Sequence, residues 1–164
     1  MKRGRAMIVL QALLVALITG LSANAALAAN CVAPENVNEL ATEIAAGLNA
    51  SRQANGERPL RFNRDLGRAA MTHACDMHRN EFFAHIGTDG SNLQQRVRAV
   101  GYSDCIVGEN IAWGYPRSEQ IITGWMNSPG HRTIMLHPRV EEFGIGITTG
   151  TRGPYWVLVV GKGC

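Results

Sequence analysis

Two kinds of hydrophobic spacing divide this chain, and their order limits the folds that it can adopt. Apolar residues recur at helical spacing over 37–48 and again over 66–77. Later, apolar residues alternate with other residues over 143–147, and the run 155–160 has the composition of a buried strand. Helices followed by late antiparallel strands predict an α+β fold, because βαβ units would interleave the two patterns.

Capping and turn residues predict several shorter elements. Asn63 is a suitable cap for the second helix, and His73 lies on the apolar face of that helix, which favours a buried, hydrogen-bonded histidine. The pair Ser128-Pro129 resembles the start of a short fifth helix over 130–136. Two further helices are expected to begin at Ser91 and Ser118, and another strand is expected around Ile106 and Ile111.

Residues 1–28 have the three-part layout of a secretory signal peptide. A basic start at 2–5 precedes an apolar run over 6–21, and small residues over 23–28 offer cleavage sites. The run approaches the roughly 18 apolar residues that a spanning helix needs, so an uncleaved membrane anchor is the alternative. We expect cleavage, which leaves 29–164 as one secreted or periplasmic domain without stable membrane insertion.

The charge of the chain argues against nucleic acid as a partner. The net charge is +3, from 16 basic and 13 acidic residues, but the leader contains three of the basic residues and none of the acidic ones. The remainder is therefore balanced at 13 against 13, whereas nucleic-acid binding requires a basic face. Its length of about 136 residues is common for one domain, and we expect a monomer.

Four cysteines beyond the leader indicate disulfides that form after export. They are Cys31, Cys75, Cys105 and Cys164, and they lack the CxxC spacing of a zinc finger. Three pairings are open to four cysteines. We favour Cys75–Cys105 within the domain and Cys31–Cys164 joining its ends, each adding ~2–4 kcal/mol of stability. Free reactive thiols are the alternative.

The strongest candidate site consists of His85, Glu109 and His131. Each lies in a turn-rich word: FFAHIGTDGS, VGENIAWG and WMNSPGHR, respectively. Separations of 24 and 22 residues mean that only the folded chain can bring the three together. Two imidazoles and a carboxylate suit either a zinc-type site or general acid–base chemistry.

Three neighbours of these residues are further candidates for the same cleft. Asn110 is expected to bond to backbone in a turn, and Arg132 is expected to pair with Glu109 or with an acidic ligand. Ser128 is expected to cap a helix. The alternative pairs Ser128 with His131 as nucleophile and base, although no GxSxG elbow frames the serine.

Five words, in this order, resemble the CAP superfamily, which includes cysteine-rich secretory proteins, antigen 5 and plant pathogenesis-related proteins. Its domain is also called the SCP domain. The words are HACDM at 73–77, FFAHIGTDGS at 82–91, GENIAWG at 108–114, WMNSPGHR at 125–132 and FGIGI at 143–147. The likeness covers roughly 37–160 and is closer to the bacterial secreted branch.

The resemblance implies a three-layer α-β-α sandwich with a central antiparallel sheet and an open cleft. Family members gather two histidines and two acidic residues in that cleft, and His85, Glu109 and His131 match three of the four. The remaining acid would fall near Asn127 or Ser128, where this chain has no carboxylate. The implied site for Zn²⁺ or another divalent cation is then formed by His85, Glu109 and His131, with water or Ser128 completing it.

The resemblance favours a binding module over an enzyme. We expect the His/Glu cleft to hold a divalent metal and the domain to take a lipid-like small molecule, since sterol and lipid binding is attributed to several relatives. One alternative is an envelope platform that binds another protein while the cleft is inert. The other is a zinc-dependent hydrolase or protease, but Glu109 cannot easily be both a metal ligand and the free base.

Overall fold

The computed structural model describes residues 31–150 and 152–164, and the predicted signal peptide lies outside them. The helices are α1 (Val37–Ala54), α2 (Arg64–Arg79), α3 (Leu93–Ala99), α4 (Ser118–Asn127) and α5 (Pro129–Met135). The strands are β1 (Arg61–Phe62), β2 (Asp104–Trp113), β3 (Glu142–Thr148) and β4 (Tyr155–Gly163). Among the described helices, none combines the length and the hydrophobicity needed to cross a bilayer.

One four-stranded sheet forms the middle of the molecule, in the order β1-β3-β4-β2. Strand β4 pairs antiparallel with both β2 and β3, so the antiparallel centre predicted for the sheet is confirmed. The two residues of β1 add a parallel edge beside β3, which makes the whole sheet mixed. Strand β4 is buried from Tyr155 to Gly161, as expected for a strand covered on both faces.

Two hydrophobic clusters cover the two faces of the sheet. Trp156 and Leu158 of β4 pack in one cluster with residues of α1, α4 and α5. Val157 and Val159 pack in the other cluster with residues of α2 and α3. Because successive strand residues point to opposite faces, β4 serves both clusters, and the three-layer α-β-α sandwich is confirmed.

Two glycines of β3 allow α2 to lie directly on the sheet. A Cβ atom added at Gly144 would lie 2.1 Å from the backbone nitrogen of Gly67, and one added at Gly146 would lie 2.4 Å from that of Met71. Any larger residue would push the helix away, because neither backbone can yield locally. The FGIGI word therefore sets the distance between α2 and β3.

Caps define the starts of α2 and α3. The Asn63 side chain accepts from the N–H groups of Asp65 and Leu66, at 2.8 and 3.2 Å, which confirms the predicted cap. Helix α3 begins at Leu93 with Asn92 as its cap, and not at Ser91 as predicted. Asn92 and Gln95 form a reciprocal capping box, which satisfies two backbone donors at once.

The four cysteines form two disulfides, as predicted, but the predicted pairing is wrong. The bonds are Cys31–Cys75 and Cys105–Cys164, and not Cys75–Cys105 and Cys31–Cys164. The antiparallel register places the beginning of β2 beside the end of β4, which brings Cys105 next to Cys164. Cys75 on α2 therefore bonds to Cys31, in the segment that precedes α1.

Candidate functional site

Strand β2 carries the centre of the candidate site along one edge of the sheet. Glu109 points to the side of α2 and α3, where it contacts Arg96 of α3. The next residue, Asn110, points to the opposite side, where its Nδ2 donates to the backbone oxygen of His131 in α5 at 3.0 Å. The side chains that contact the two histidines from β2 thus point to opposite sides of this strand.

His85 and Glu109 form a direct hydrogen bond. His85 Nδ1 lies 2.9 Å from Glu109 Oε1, and because an ionised carboxylate only accepts, Nδ1 carries the proton. The Glu109 side chain is 3% exposed, whereas the His85 side chain is 56% exposed. Within the described residues, His85 Nε2 has no hydrogen-bond partner, so this atom is available to a ligand.

Arg96 neutralises the buried carboxylate, and the sequence analysis did not identify it. Its Nη2 donates to Glu109 Oε2 at 2.8 Å, and its side chain is 6% exposed. Its Nη1 also donates to the backbone oxygens of His85 and Ser91, at 3.1 and 2.9 Å. A signal existed: a glutamate inside a buried strand requires a cation, and Arg96 belongs to the helix that precedes this strand.

His73 and Asp76 of α2 hold the loop that contains His85. His73 is fully buried, as predicted, and its Nε2 donates to the backbone oxygen of Ala84 at 2.9 Å. The carboxylate of Asp76 accepts from the backbone N–H and the hydroxyl of Thr88, at 2.8 and 2.6 Å. With the bonds from Arg96, these contacts fix the loop on both sides of His85.

The pKa values of the groups around Glu109 reflect their mutual contacts. The hydrogen bond to Glu109 raises the pKa of His85 above its usual value. Burial alone would raise the pKa of Glu109, but His85 and the charge of Arg96 outweigh it and lower that pKa. Burial lowers the pKa of His73, although the charge of Glu109, 3.8 Å away, opposes this shift. Glu109 is therefore ionised at neutral pH.

His131 lies near the start of α5 and contacts Ser128. The Nδ1 atom of the ring is 2.9 Å from Ser128 Oγ. Ser128 occupies the predicted cap position, but its side chain makes no capping hydrogen bond. Burial and then the charge of His85 lower the pKa of His131. Its Nε2, like that of His85, has no hydrogen-bond partner in the described part of the chain.

Two of the predicted cleft residues behave differently from expectation. Arg132 does not pair with Glu109: its Nη2 donates to Asn55 Oδ1 at 2.7 Å, beyond the end of α1. Consecutive helical residues point in different directions, so His131 and Arg132 face different parts of the molecule. Asn110 bonds to backbone as expected, but from a strand and not from a turn.

The donors of this site do not gather into one group of three. Over residues 31–150 and 152–164, no three histidine, cysteine, aspartate or glutamate side chains lie so that they could hold a metal ion together. Both oxygens of Glu109 already accept hydrogen bonds, one from His85 and one from Arg96. In the described part of the chain, the Nε2 atoms of His85 and His131 have no hydrogen-bond partner. The same holds for three buried atoms of this site: His73 Nδ1, Arg96 Nε and Asn110 Oδ1.

The three-layer sandwich, with one histidine in the loop after α2 and another on α5, defines the class of the protein. The family model described as "CAP: Cysteine-rich secretory protein family" matches residues 46–161. The chain therefore belongs to the CAP family.

Curated relatives and solved structures agree with this assignment. The chain is 32% identical to YkwD of Bacillus subtilis over 114 residues. This alignment covers 70% of this chain and 44% of YkwD. The chain is 29% identical to the membrane protein YlbC of the same organism over 99 residues, covering 60% of this chain and 29% of YlbC. The chain thus spans less than half the length of these curated relatives.

Two solved structures show the same fold. An outer surface protein from Borrelia burgdorferi superposes with a TM-score of 0.75 at 18% identity, covering 82% of this chain and 99% of that protein. An extracellular protein containing an SCP domain from Bacillus anthracis has a TM-score of 0.70 at 23% identity, covering 76% of this chain and 41% of that one. At these identities the likeness concerns the fold alone.

Proposed function

We propose that this CAP domain is an exported binding module that captures a divalent cation such as Zn²⁺ through the Nε2 atoms of His85 and His131. One observation carries the proposal: the Nδ1–H group of His85 donates to the buried carboxylate of Glu109. Metal-binding histidines commonly donate the N–H of their second ring nitrogen to a carboxylate, which fixes the tautomer and the ring orientation. The exposed Nε2 is then the atom that meets the ligand.

The donor set fits a two-histidine site better than the three-residue site implied by the resemblance. Imidazole nitrogen is a good ligand for zinc. Glu109 would orient His85 and would not bind the cation, since its two oxygens accept from His85 and Arg96. Water, or the hydroxyl of Ser128, would complete the coordination. A bound cation would supply a Lewis acid at the surface of the cleft.

Export is supported by several independent features. Two disulfides are typical of proteins that fold in an oxidising compartment, and residues 1–28 have the sequence of a cleavable leader. The Bacillus anthracis protein is described as extracellular, and the Borrelia protein as an outer surface protein. We propose secretion or a periplasmic location on these grounds.

The test is calorimetric titration with Zn²⁺, performed on the exported, oxidised protein near pH 7.5. We expect one ion per chain, with binding lost in the double variant His85→Ala/His131→Ala. A His137→Ala variant is the matched control, because His137 Nδ1 only accepts from the backbone N–H of Arg139. Absence of binding, or binding that the double variant retains, would refute the proposal and favour a protein-interaction platform with an inert cleft.

The other expected functions have less support. In a hydrolase, either Glu109 or a water activated by zinc would have to act on the substrate. Both oxygens of Glu109 accept from protein donors, which disfavours Glu109 as the base. A lipid-like ligand stays a prediction. The groove of about 600 Å³ between α1 and α4 is one place to look for it. Glu39, Glu43 and Glu119 line this groove together with one cation, Arg117, and this excess of carboxylates disfavours a fatty-acid carboxylate.

A further inference from the structure

Strand β2 is an edge strand, and one of its edges pairs with nothing in the sheet. It runs for ten residues and pairs with β4 from Asp104 to Trp113, with one irregularity between Asp104 and Ile106. It stands last in the strand order. A long edge strand is a template for another strand unless it is covered or blocked. Whether β2 can pair further depends on which of its backbone N–H and C=O groups face away from β4.

The register shows which backbone groups of β2 face away from β4. Gly114, directly after the strand, donates its N–H to the oxygen of Pro154 at 3.0 Å. Hydrogen-bonded positions alternate along an antiparallel pair, so Gly108, Asn110 and Ala112 bond to β4. The intervening residues turn their N–H and C=O groups to the open edge: Val107, Glu109 and Ile111. The backbone oxygen of Ile111 confirms this direction, because it accepts from Trp125 Nε1, outside the sheet, at 3.2 Å.

Five backbone groups on this edge have no partner within the described residues. They are the N–H and C=O of Val107 and of Glu109, and the N–H of Ile111. Val107 is half-buried, and Glu109 is only 8% exposed. Backbone polar groups at such depth are nearly always paired. The outward N–H and C=O groups recur at every second residue along the edge. This spacing matches the hydrogen-bonding groups of another extended strand.

We propose that this open edge, Val107 to Ile111, binds an extended segment of a partner protein, which adds a fifth strand to the sheet. The inference goes beyond the proposed capture of a cation and requires no metal.

The side chains beside the edge indicate which sequences would fit. Two exposed apolar residues lie on the side of α2: Phe83, whose ring lies 6.3 Å from that of Trp113 at the end of β2, and Ile86, next to His85. The opposite side presents His131 with Ser128. Because side chains of an added strand alternate, we expect apolar residues toward Phe83 and polar residues toward His131.

The first test is amide hydrogen exchange in the free, exported protein. The N–H groups of Val107, Glu109 and Ile111 should exchange at least about tenfold faster than those of Gly108, Asn110 and Ala112, which bond to β4. Equal protection of the two sets would show that the edge is already covered and would overturn the proposal.

The second test uses random octapeptides displayed on phage as the probe. Enriched peptides should protect the amides of Val107 and Glu109 and should bind Val107→Pro about tenfold more weakly, since proline removes an outward N–H but no bond to β4. Val107→Thr, which keeps that N–H, is the matched control. If Val107→Pro fails to fold, the selected peptide methylated at alternate backbone nitrogens replaces it, and one methylation pattern should abolish binding.

Three outcomes of the selection would overturn the proposal. No peptide is enriched, or enriched peptides bind wild type and Val107→Pro equally, or methylation has no effect in either pattern. Dimerisation of the protein that Val107→Pro abolishes would also overturn it, because the edge would then serve a second copy and not a partner protein.

Discussion

Glu109 organises the candidate site because a carboxylate buried in a strand must be compensated. Its side chain is 3% exposed and contacts Arg96 and His85. An unpaired charge at this depth would cost several kcal/mol, and breaking a buried pair costs about 3–5 kcal/mol. The exposed His85 ring is therefore hydrogen-bonded to a carboxylate whose position the buried Arg96–Glu109 pair fixes.

Replacement of Arg96 by methionine should destabilise the protein by about 3–5 kcal/mol, because Glu109 would lose its buried counter-charge. The measurement is urea unfolding of the oxidised protein. The control is Arg68→Met, since Arg68 pairs with Asp65 while the two side chains are 57% and 38% exposed, and exposed pairs contribute about 1 kcal/mol or less. Equal effects of the two variants would mean that the Arg96–Glu109 contact does not stabilise the fold.

Zinc affinity should depend on pH through His85. Its pKa is raised by the hydrogen bond to Glu109, and a protonated Nε2 cannot bind a metal. Affinity should therefore fall as the pH falls through this raised pKa. In Glu109→Gln the pKa of His85 returns toward its usual value, so the fall should move to lower pH. Calorimetry from about pH 5 to 8 measures both curves, and coincident curves would contradict the role given to Glu109.

The words around His85, Glu109 and His131 lie beside one another around strand β2, but the sequence did not reveal which partners their side chains contact. Arg96 was missed because a lone arginine in a short helix resembles a solvent-exposed residue. Arg132 was expected in the cleft because it follows His131, although a helix turns successive side chains apart. For both arginines, the direction in which the side chain points determined its contacts, and not its position along the chain.

At the scale of elements, the contact between α2 and β3 holds one outer layer to the sheet. Gly144 and Gly146 let the backbone of α2 approach β3 directly. The same helix supplies His73 and Asp76, which hold the loop that carries His85. The distance between helix and strand thus affects the site as well as the core.

Substitution of Gly144 by alanine should cost about 3 kcal/mol or more, since the new Cβ would overlap the backbone of α2 at Gly67. Gly124→Ala in α4 is the control, because no atom lies within 4 Å of the place that its new methyl group would occupy and alanine favours helices. Thermal unfolding followed by circular dichroism compares the two. A tolerated Gly144→Ala would show that α2 does not pack as closely as described.

Most elements could be predicted from the sequence because each has a periodic apolar face or a cap. Helices α1 and α2 and strands β3 and β4 all follow from such patterns. The two-residue strand β1 has no pattern of its own, since it exists only through its pairing with β3. Short elements of this kind depend on tertiary contacts that no local sequence encodes.

At the scale of the whole molecule, the disulfides depend on the sheet register. Cys105–Cys164 joins neighbouring strand ends, and Cys31–Cys75 joins the first described residues to α2. The number of cysteines and their exported context predicted two bonds. Their connectivity could not be predicted, because it requires the register of β2 against β4.

Peptide mapping of the exported protein without reductant should recover only the pairs Cys31–Cys75 and Cys105–Cys164. Proteolysis under acidic conditions prevents exchange during the experiment. Fragments that join Cys75 to Cys105 would contradict the register of the sheet. Removal of Cys105–Cys164 by a double serine substitution should cost about 2–5 kcal/mol.

The central claim is that Glu109 orients His85 and that the two Nε2 atoms meet the cation. Nitrogen-15 spectra of the histidine side chains, recorded before and after one equivalent of Zn²⁺, test this claim directly. We predict that His85 keeps its proton on Nδ1 throughout, while the Nε2 signals of His85 and His131 both shift. Spectra in which neither ring responds, or in which the metal displaces the proton of His85 Nδ1 into solvent and binds there, would contradict the account.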